Sequence, residues 1–444
     1  MSTRSPDAVC IVGMGYVGLT LAAAFLAKGA WVYGIEAQES VRRQLQRGQI
    51  HLLEPGVDEI IHQCVSDSED SRFQVSDEWP TQIKTAVICV GTPYDRVQSR
   101  PNLVALKLAV EQVAQRITDE SLVVIRSTVP VGTTRSVVLP ILRRHNRSPQ
   151  LVVAPERTIQ GKALEELLSL PQVIGADDAA SFARAEALFS RLGTEVIRVS
   201  SYEAAELVKL ACNAHTDVRY SFANEVAGVA AAVGLDAHEI IEAANHHYPR
   251  PPIARPGFVG GSCLTKDPYH LLYTAELSGY QPRLIAAARA VNESIPEMIL
   301  QQVEHVLLQQ QRSWSELKVT LSGLAYKGKP ETDDLRGSIL WELLPPLKAR
   351  GVQHLQGHDF VLDDAVIGAH GLTPVTLAQA IETSDLVLIL NDHRDYGMFA
   401  LEEALSGEHQ LLLYDLWGVY KQRIEHLKGS QHNGIHYMGV GFGG

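Results

Sequence analysis

Apolar residues in this chain fall into two textures. Over roughly the first 200 residues, and again after Trp314, short apolar runs that stop at Gly, Pro or a charged residue alternate with helix-length stretches. Such runs predict buried strands of a parallel sheet, with crossover helices between them. At the start, AVCIVGMGYVG (Ala8 to Gly18) predicts a strand, LTLAAAFLAKG a helix stopped by Gly29, and WVYGIE a second strand ending at Glu36. TAVICVGTP, SLVVIRSTVPVGTT and QLVVAPERTIQGK predict later strands that run into polar loops. The texture changes at Ser201. YEAAELVKLACNAHTDVRYSFANEVAGVAAAV has no Pro and predicts one helix, about 45 Å long at 1.5 Å per residue. Ser200-x-x-Glu203 ahead of it has the form of a capping box. A loop rich in Pro and Gly, ANHHYPRPPIARPGFVGGSCLTKDP, follows, and Asp267-Pro268 predicts an N-cap and first turn for YHLLYTAEL. After Trp314, four more apolar runs reach polar ends at Lys327, Asp359, Asp392 and Asp415.

The expected fold class is therefore α/β, with two Rossmann-like doubly wound domains joined by a central long-helix region. The divisions fall at 1–200, 201–312 and 313–444. A chain of 444 residues exceeds what one core supports, which agrees with this partition.

Composition narrows the functional classes. The formal charge of −12 leaves no basic excess for a nucleic-acid partner. Hydrophobic (45%) and charged (20%) fractions are those of a soluble globular protein. No apolar run approaches the roughly 18 residues of a membrane span, and MSTRSPDAVCIVG has no leader-like apolar segment. The five cysteines are scattered without metal-ligand spacing, so no metal is expected. Cys10 and Cys89 lie inside predicted strands and are expected in the core. These features suggest a soluble protein of a reducing compartment, the cytoplasm.

Two motifs carry the candidate chemistry. Gly13-x-Gly15-x-x-Gly18 follows a strand, opens a helix and meets an acid, Glu36, about 20 residues on, the context of a dinucleotide fingerprint. Glycines permit the tight turn and close approach to a pyrophosphate, with the N–H groups of Tyr16 and Val17 at the helix start. Glu36 would bind ribose hydroxyls and repel a 2′-phosphate, which selects NAD. In a doubly wound sheet, loops at the carboxyl ends of strands meet ligands, which draws in Thr92, Ser127, Thr128, Glu156 and Arg157. The second motif is FVGGSCLTKDP. Cys263 follows Gly260 and Gly261, whose N–H groups together with Lys266 would favour a thiolate. The residues alone leave Cys263 either a nucleophile or a buried structural thiol. On the long helix, Lys209 and Asn213 share a face at i,i+4, and a lysine among apolar neighbours needs a partner or a wet cleft. Lys327, Lys329 and Arg336 in YKGKPETDDLRGS could hold phosphates or be a solvated charge run.

Taken in order, GMGYVG, CVGTP, STVPVGTT, APERTIQGK, ELVKLACNA with SFANE, PGFVGGSCLTKDP and GLAYKG with TDDLRGS resemble the UDP-sugar 6-dehydrogenases over almost the whole chain. That resemblance implies an NAD-dependent enzyme oxidising a nucleotide sugar twice, to a uronic acid, and a homodimer held by the central helix. It also implies roles for single residues. Cys263 is the nucleophile, and Lys209 and Asp267 stabilise the oxyanion and position water with help from Asn213. Glu156 serves thioester hydrolysis, Thr128 orders water, Lys327 binds the UDP-sugar and Arg336 reaches the NAD pyrophosphate. Arg157, Arg250, Gly260 and Gly261 complete the implied substrate contacts, and Thr92 the cofactor contacts.

APERTIQGK resembles the subgroup acting on UDP-N-acetylhexosamines (UDP-ManNAc or UDP-GlcNAc). Ser262, Thr265 and a loop one residue shorter than usual depart from it, so UDP-glucose stays an alternative. Two other readings are a β-hydroxyacid dehydrogenase and a non-catalytic NAD- or nucleotide-sensing module. Neither uses Cys263 together with the α/β block after Trp314.

Overall fold

The computed structural model describes residues 8–66, 72–250, 252–405, 410–427 and 435–443. The N-terminal residues 1–7, on which the expectation about a leader bears, lie outside them. Contacts divide the chain into two compact units. The first comprises 1–213 with 266–281, the second 214–265 with 282–444.

In the first unit, strand β1 (Val9–Val12) leads into helix α1 (Tyr16–Ala27) and strand β2 (Val32–Ile35). Strands β3 (Phe73–Ser76), β4 (Thr85–Ile88), β5 (Leu122–Ile125), β6 (Gln150–Val153), β7 (Gln172–Gly175) and β8 (Val196–Val199) follow. They form one sheet in the order β8-β7-β6-β5-β4-β1-β2-β3. Pairing is parallel except where β7 meets β6 through Val153 and Gly175. The order contains the doubly wound 3-2-1-4-5-6 pattern, whose switch point lies between β1 and β4. β1, β2 and β5 are buried along their full length, which is why their sequences are apolar without alternation. Two apolar layers cover the sheet. One contains Leu19, Phe25 and Val87, and the other contains Val110, Leu142 and Ile88. Cys10 and Cys89 lie in these layers, as expected, and burial pushes both thiols up to about 12.

Helix α2 (Tyr202–Ala232) has 31 residues and is the long helix the sequence predicts. Its residues count with the first unit to Asn213 and with the second from Ala214. The start differs in detail: α2 begins at Tyr202, so Ser201, not Ser200, precedes it and accepts the Ala204 N–H, while Glu203 is turned to Arg135. Helices α3 (Ala237–Asn245), α4 (Asp267–Leu277) and α5 (Arg283–Gln309) follow. Asp267 is the first residue of α4 rather than its cap. Lys266 holds the cap position and no side chain caps the helix.

The second sheet contains β9 (Lys318–Ser322), β10 (His354–His358), β11 (Thr373–Pro374), β12 (Leu386–Ile389), β13 (Leu411–Asp415) and β14 (Ile435–Met438). It is parallel throughout, in the order β11-β10-β9-β12-β13-β14. Four strands match the predicted runs. The sequence reading did not include β11, which is two residues long, or β14. No helix among the described residues is long and apolar enough to cross a membrane.

Gly18 is where α1 packs on the turn from β1, and a Cβ there would overlap the Gly13 carbonyl oxygen. Gly18→Ala should therefore cost about 1–3 kcal/mol, as overpacking does. The expected readout is a lower urea midpoint with an unchanged slope.

Candidate active site

The first unit builds a dinucleotide cradle. Gly13 has φ +91°, and a Cβ on it would press on the backbone of Cys89 and Val90 at 3.1–3.3 Å. Gly15 caps α1 in an extended conformation with no side-chain hydrogen bond, and open space lies where its Cβ would stand. A helix start left uncapped by side chains beside open space suits a pyrophosphate. Glu36 sits at the end of β2, where one carboxylate oxygen accepts the Met14 N–H at 2.9 Å and the other the Gln38 N–H at 2.8 Å. Each oxygen keeps capacity for a ribose hydroxyl. The residues fit NAD.

At the switch point, the Thr92 hydroxyl donates to the Thr128 carbonyl and Ser127 donates to the Val90 carbonyl at 2.7 Å. These bonds staple the loop after β4 to the loop after β5. The Thr128 hydroxyl is half-buried and makes no hydrogen bond among the described residues.

Glu156 follows β6 and is buried. Arg126 Nη2 donates to its Oε2 at 2.6 Å, while the Arg157 and Thr158 N–H groups reach Oε1 at 2.7 and 2.9 Å. Burial pushes the carboxyl up, but the Arg126 guanidinium, the Thr158 N–H and the Lys209 charge hold it below its ordinary value. Arg126 is itself only 1% exposed and also donates to the Ala154 carbonyl and Gln172. The Arg157 guanidinium is turned to the Pro171 carbonyl at 2.6 Å.

Lys209 is 6% exposed, and among the described residues no hydrogen bond or ion pair holds its ammonium. One helical turn on, Asn213 Nδ2 donates to Asp267 Oδ2 at 2.5 Å, and Lys266 donates to Oδ1. Asp267 is fully buried. An almost buried ammonium that feels the Glu156 charge but has no hydrogen bond among the described residues, on the same helix face as an amide that binds a buried carboxylate, has donors left for a ligand oxygen.

The second unit holds the cysteine loop. Cys263 is exposed, which removes the alternative of a buried structural thiol, and no disulfide joins any of the five cysteines. Gly261 has φ +88° and donates its N–H to the Gly337 carbonyl at 3.1 Å. A Cβ on Gly260 would stand 2.5 Å from that carbonyl, and one on Gly261 2.7 Å from the Tyr326 ring. The glycines thus let DLRGS lie against the cysteine loop backbone to backbone. Arg336 is held by Asp334, with Nη2 to Oδ2 at 2.7 Å, and lies near enough to interact electrostatically with Cys263. Lys327 follows β9, its ammonium 5.5 Å from the Tyr326 ring centre. The adjacent Gly328 N–H donates to Asp392 in the loop after β12. That is the switch point of the second sheet. Arg250 is exposed and lies over the Tyr248 ring.

Sequence reading missed several residues that hold these loops. Glu54 is 2% exposed and accepts from Gly161 and Ala163 N–H groups at 2.7 and 2.6 Å and from the Tyr16 hydroxyl. Glu206, three residues before Lys209, accepts the Gly132 and Thr134 N–H groups at 2.6 and 2.9 Å. The only signal for Arg126 was a charged residue directly after an apolar strand.

Comparison with known proteins shows the family. Models of the UDP-glucose/GDP-mannose dehydrogenase family match in succession: the NAD binding domain over 7–193, the central domain over 203–294 and the UDP binding domain over 320–422. The chain belongs to that family. A curated relative, UDP-N-acetyl-D-mannosamine dehydrogenase of Pyrococcus horikoshii, is 32% identical over 93% of this chain and 96% of its own. A solved UDP-D-ManNAc dehydrogenase from the same organism superposes with a TM-score of 0.85 at 28% identity, covering 98% of this chain and 99% of its own. A solved UDP-glucose dehydrogenase from Pyrobaculum islandicum gives 0.83 at 25% identity, covering both chains fully. The protein is an NAD-dependent nucleotide-sugar dehydrogenase. The recognised fold class, family and cofactor all agree with the sequence reading.

Burial raises the Glu206 carboxyl to about 7, against the pull of Thr134 and Gly132. The folded state therefore binds this proton more tightly than the unfolded one. Glu206's contribution is fully present below about pH 4.5 and is lost as pH rises through 7, at about 1.4 kcal/mol per pH unit. Glu206→Gln should flatten the fall in stability between pH 5 and 8, measured as urea midpoints against wild type.

Proposed function

We propose that the protein oxidises the C6 hydroxymethyl of a UDP-N-acetylhexosamine, UDP-ManNAc ahead of UDP-GlcNAc, to the uronic acid for polysaccharide precursor synthesis. The observation that carries the chemistry is the Lys209 ammonium, nearly buried without a fixed partner, beside Asn213 and the buried Asp267. APERTIQGK and the name of the 32% identical relative support the N-acetylhexosamine. UDP-glucose is the second reading, favoured by the nearly equal fold match to the UDP-glucose dehydrogenase.

NAD, when bound, supplies the hydride acceptor for both oxidations. Gly13, Gly15, Gly18 and the Tyr16 and Val17 N–H groups would hold its pyrophosphate and Glu36 its ribose, with Thr92, Thr128 and Arg336 as further contacts. Lys327 binds the UDP moiety, with Arg157, Arg250, Gly260 and Gly261 completing the substrate contacts. Lys209 stabilises negative charge developing on the C6 oxygen, an effect worth several kcal/mol. The Cys263 thiolate adds to the aldehyde carbon and forms a thiohemiacetal. Loss of a second hydride leaves a thioester, and water cleaves it to the carboxylate and the free thiol.

Asp267, oriented by Asn213, positions that water, and Thr128 orders it. A carboxylate held below its ordinary pKa is a poor proton acceptor near neutral pH. Glu156 therefore serves hydrolysis by orienting water, with Arg126 holding it in place.

The three-part division at 1–200, 201–312 and 313–444 is the functional one: cofactor, helix with nucleophile, and nucleotide. The chain is a homodimer through α2, whose Phe222 and Val229, 56% and 67% exposed, lie on one face, with Val233, 63% exposed, just past its end. Five cysteines joined by no disulfide suit the cytoplasm.

The test is a coupled assay of UDP-ManNAc, UDP-GlcNAc, UDP-GalNAc and UDP-glucose. Two NADH should form per sugar, with UDP-ManNAc giving the highest kcat/KM. Cys263→Ser should lose at least about 1000-fold in kcat, as removal of a covalent nucleophile does. One NADH per sugar, or an active Cys263→Ser, refutes the mechanism. A preference for UDP-glucose refutes the substrate assignment alone.

A further inference from the structure

Four polar side chains are buried together in the second unit without belonging to the chemistry above. Asn224 and Asp217 come from α2, Arg289 and Asn292 from α5, and none is more than 5% exposed. Burying an arginine, an aspartate and two amides is costly unless each group is used. Here nearly all are used, and in one direction.

Asn224 grips both backbone groups of one residue. Its Oδ1 accepts the Gly257 N–H at 2.8 Å and its Nδ2 donates to the Gly257 carbonyl at 2.9 Å. The same Nδ2 donates to Asn292 Oδ1 at 2.9 Å. Asn292 Nδ2 in turn donates to the Asp217 carboxylate at 2.8 Å and its carbonyl at 3.0 Å. Asp217 Oδ1 also takes Arg289 Nη1 at 2.6 Å, and that nitrogen reaches the Leu264 carbonyl at 3.4 Å. Glu293 holds the other arm of Arg289 at 3.1 Å. Each amide's orientation is fixed, since a flipped Asn292 would set donor against donor.

Gly257 and Leu264 bracket Cys263, six residues before it and one after. Between them the loop has, among the described residues, the Gly261–Gly337 backbone bond, the Thr265 N–H and hydroxyl on the Gly261 carbonyl at 3.4 and 2.7 Å, and a 4.0 Å contact of the Ser262 hydroxyl with the Cys263 sulfur. Phe258 and Val259 anchor it in the core. A cross-brace needed only to join α2 to α5 could be apolar and at least as stable. This one ends on the cysteine loop at both extremities.

We propose that Asn224, Asn292, Asp217 and Arg289 form a clamp of positioning residues that fixes the Cys263 thiol in its reactive attitude. The proposal rests on Cys263 being the nucleophile. None of the four touches substrate or cofactor, and their effect is on the thiol's placement. A misplacement of about 1 Å at a reacting atom costs on the order of 100-fold in rate.

The experiment compares wild type with Asn224→Ala and Arg289→Lys, the latter keeping charge and bulk. It reads iodoacetamide alkylation of Cys263 by peptide mass spectrometry, with the exposed Cys212 in the same molecule as internal reference. Steady-state kinetics and melting curves accompany it. The expected result is a Cys263-to-Cys212 rate ratio changed at least about threefold, and kcat lowered roughly 10- to 100-fold, with KM for NAD and UDP-sugar within about twofold. Arg289→Lys should show the same split, smaller. An unchanged alkylation ratio in both variants overturns the clamp, as does equal acceleration of both thiols with a lowered Tm, the signature of a mere structural brace. If Asn224→Ala does not fold, Arg289→Lys decides by the same ratio. A changed ratio with unchanged kcat, alongside an active Cys263→Ser, refutes the nucleophile and not the clamp.

Discussion

An exposed cysteine on a loop, the nucleophile proposed above, must be held still, and a loop has no ladder of backbone bonds to hold it. The second unit meets that constraint. Cys263 stands exposed in an irregular segment whose backbone groups are taken up from outside, by the Asn224 amide at Gly257 and the Arg289 guanidinium at Leu264. The glycines of the motif serve the same end. Gly260, Gly261 and Gly337 leave no room for Cβ atoms, so two loop backbones meet directly and Arg336 comes near the thiol. Lys327 takes its place at the switch point of the second sheet, where a doubly wound fold collects its ligands.

The first unit meets a related problem with charges. Its loops at the carboxyl ends of β4, β5 and β6 carry the polar groups, and buried ions fasten them. Arg126 holds Glu156, Glu206 holds the loop through Gly132 and Thr134, and Glu54 joins the first residue of α1 to the segment from Gly161 to Ala163. Among the described residues Lys209 stands apart from these ions, nearly buried with no hydrogen bond or ion pair on its ammonium, though its charge reaches Glu156. An ammonium so placed agrees with the proposed role of meeting negative charge on a substrate oxygen.

Much of this was legible in the chain. Continuous apolar runs and the helix without proline carried the two sheets and α2, because those patterns are local consequences of burial. The glycine fingerprint was legible because turn, helix start and acid lie within one βαβ unit. The loop-holding residues were not. Glu54 acts on a residue 107 positions away, Arg289 on one 72 positions away and Arg126 on one 30 positions away, and no local spacing announces such partners. The errors were of the same kind. Asp267 before Pro268 has the local form of a cap, yet its carboxylate serves Asn213, 54 residues earlier. Ser200-x-x-Glu203 has the form of a capping box, but Arg135 takes the glutamate.

That Cys263 holds the sugar covalently between two oxidations is tested most directly by intact-mass analysis of Asp267→Asn, in which hydrolysis should stall. Incubated with NAD and the UDP-sugar, the protein should form NADH and gain the mass of the substrate less four hydrogens, located on the peptide bearing Cys263 and absent in the double variant with Cys263→Ser. NADH formation with no adduct on Cys263, or an adduct on another residue, would contradict it.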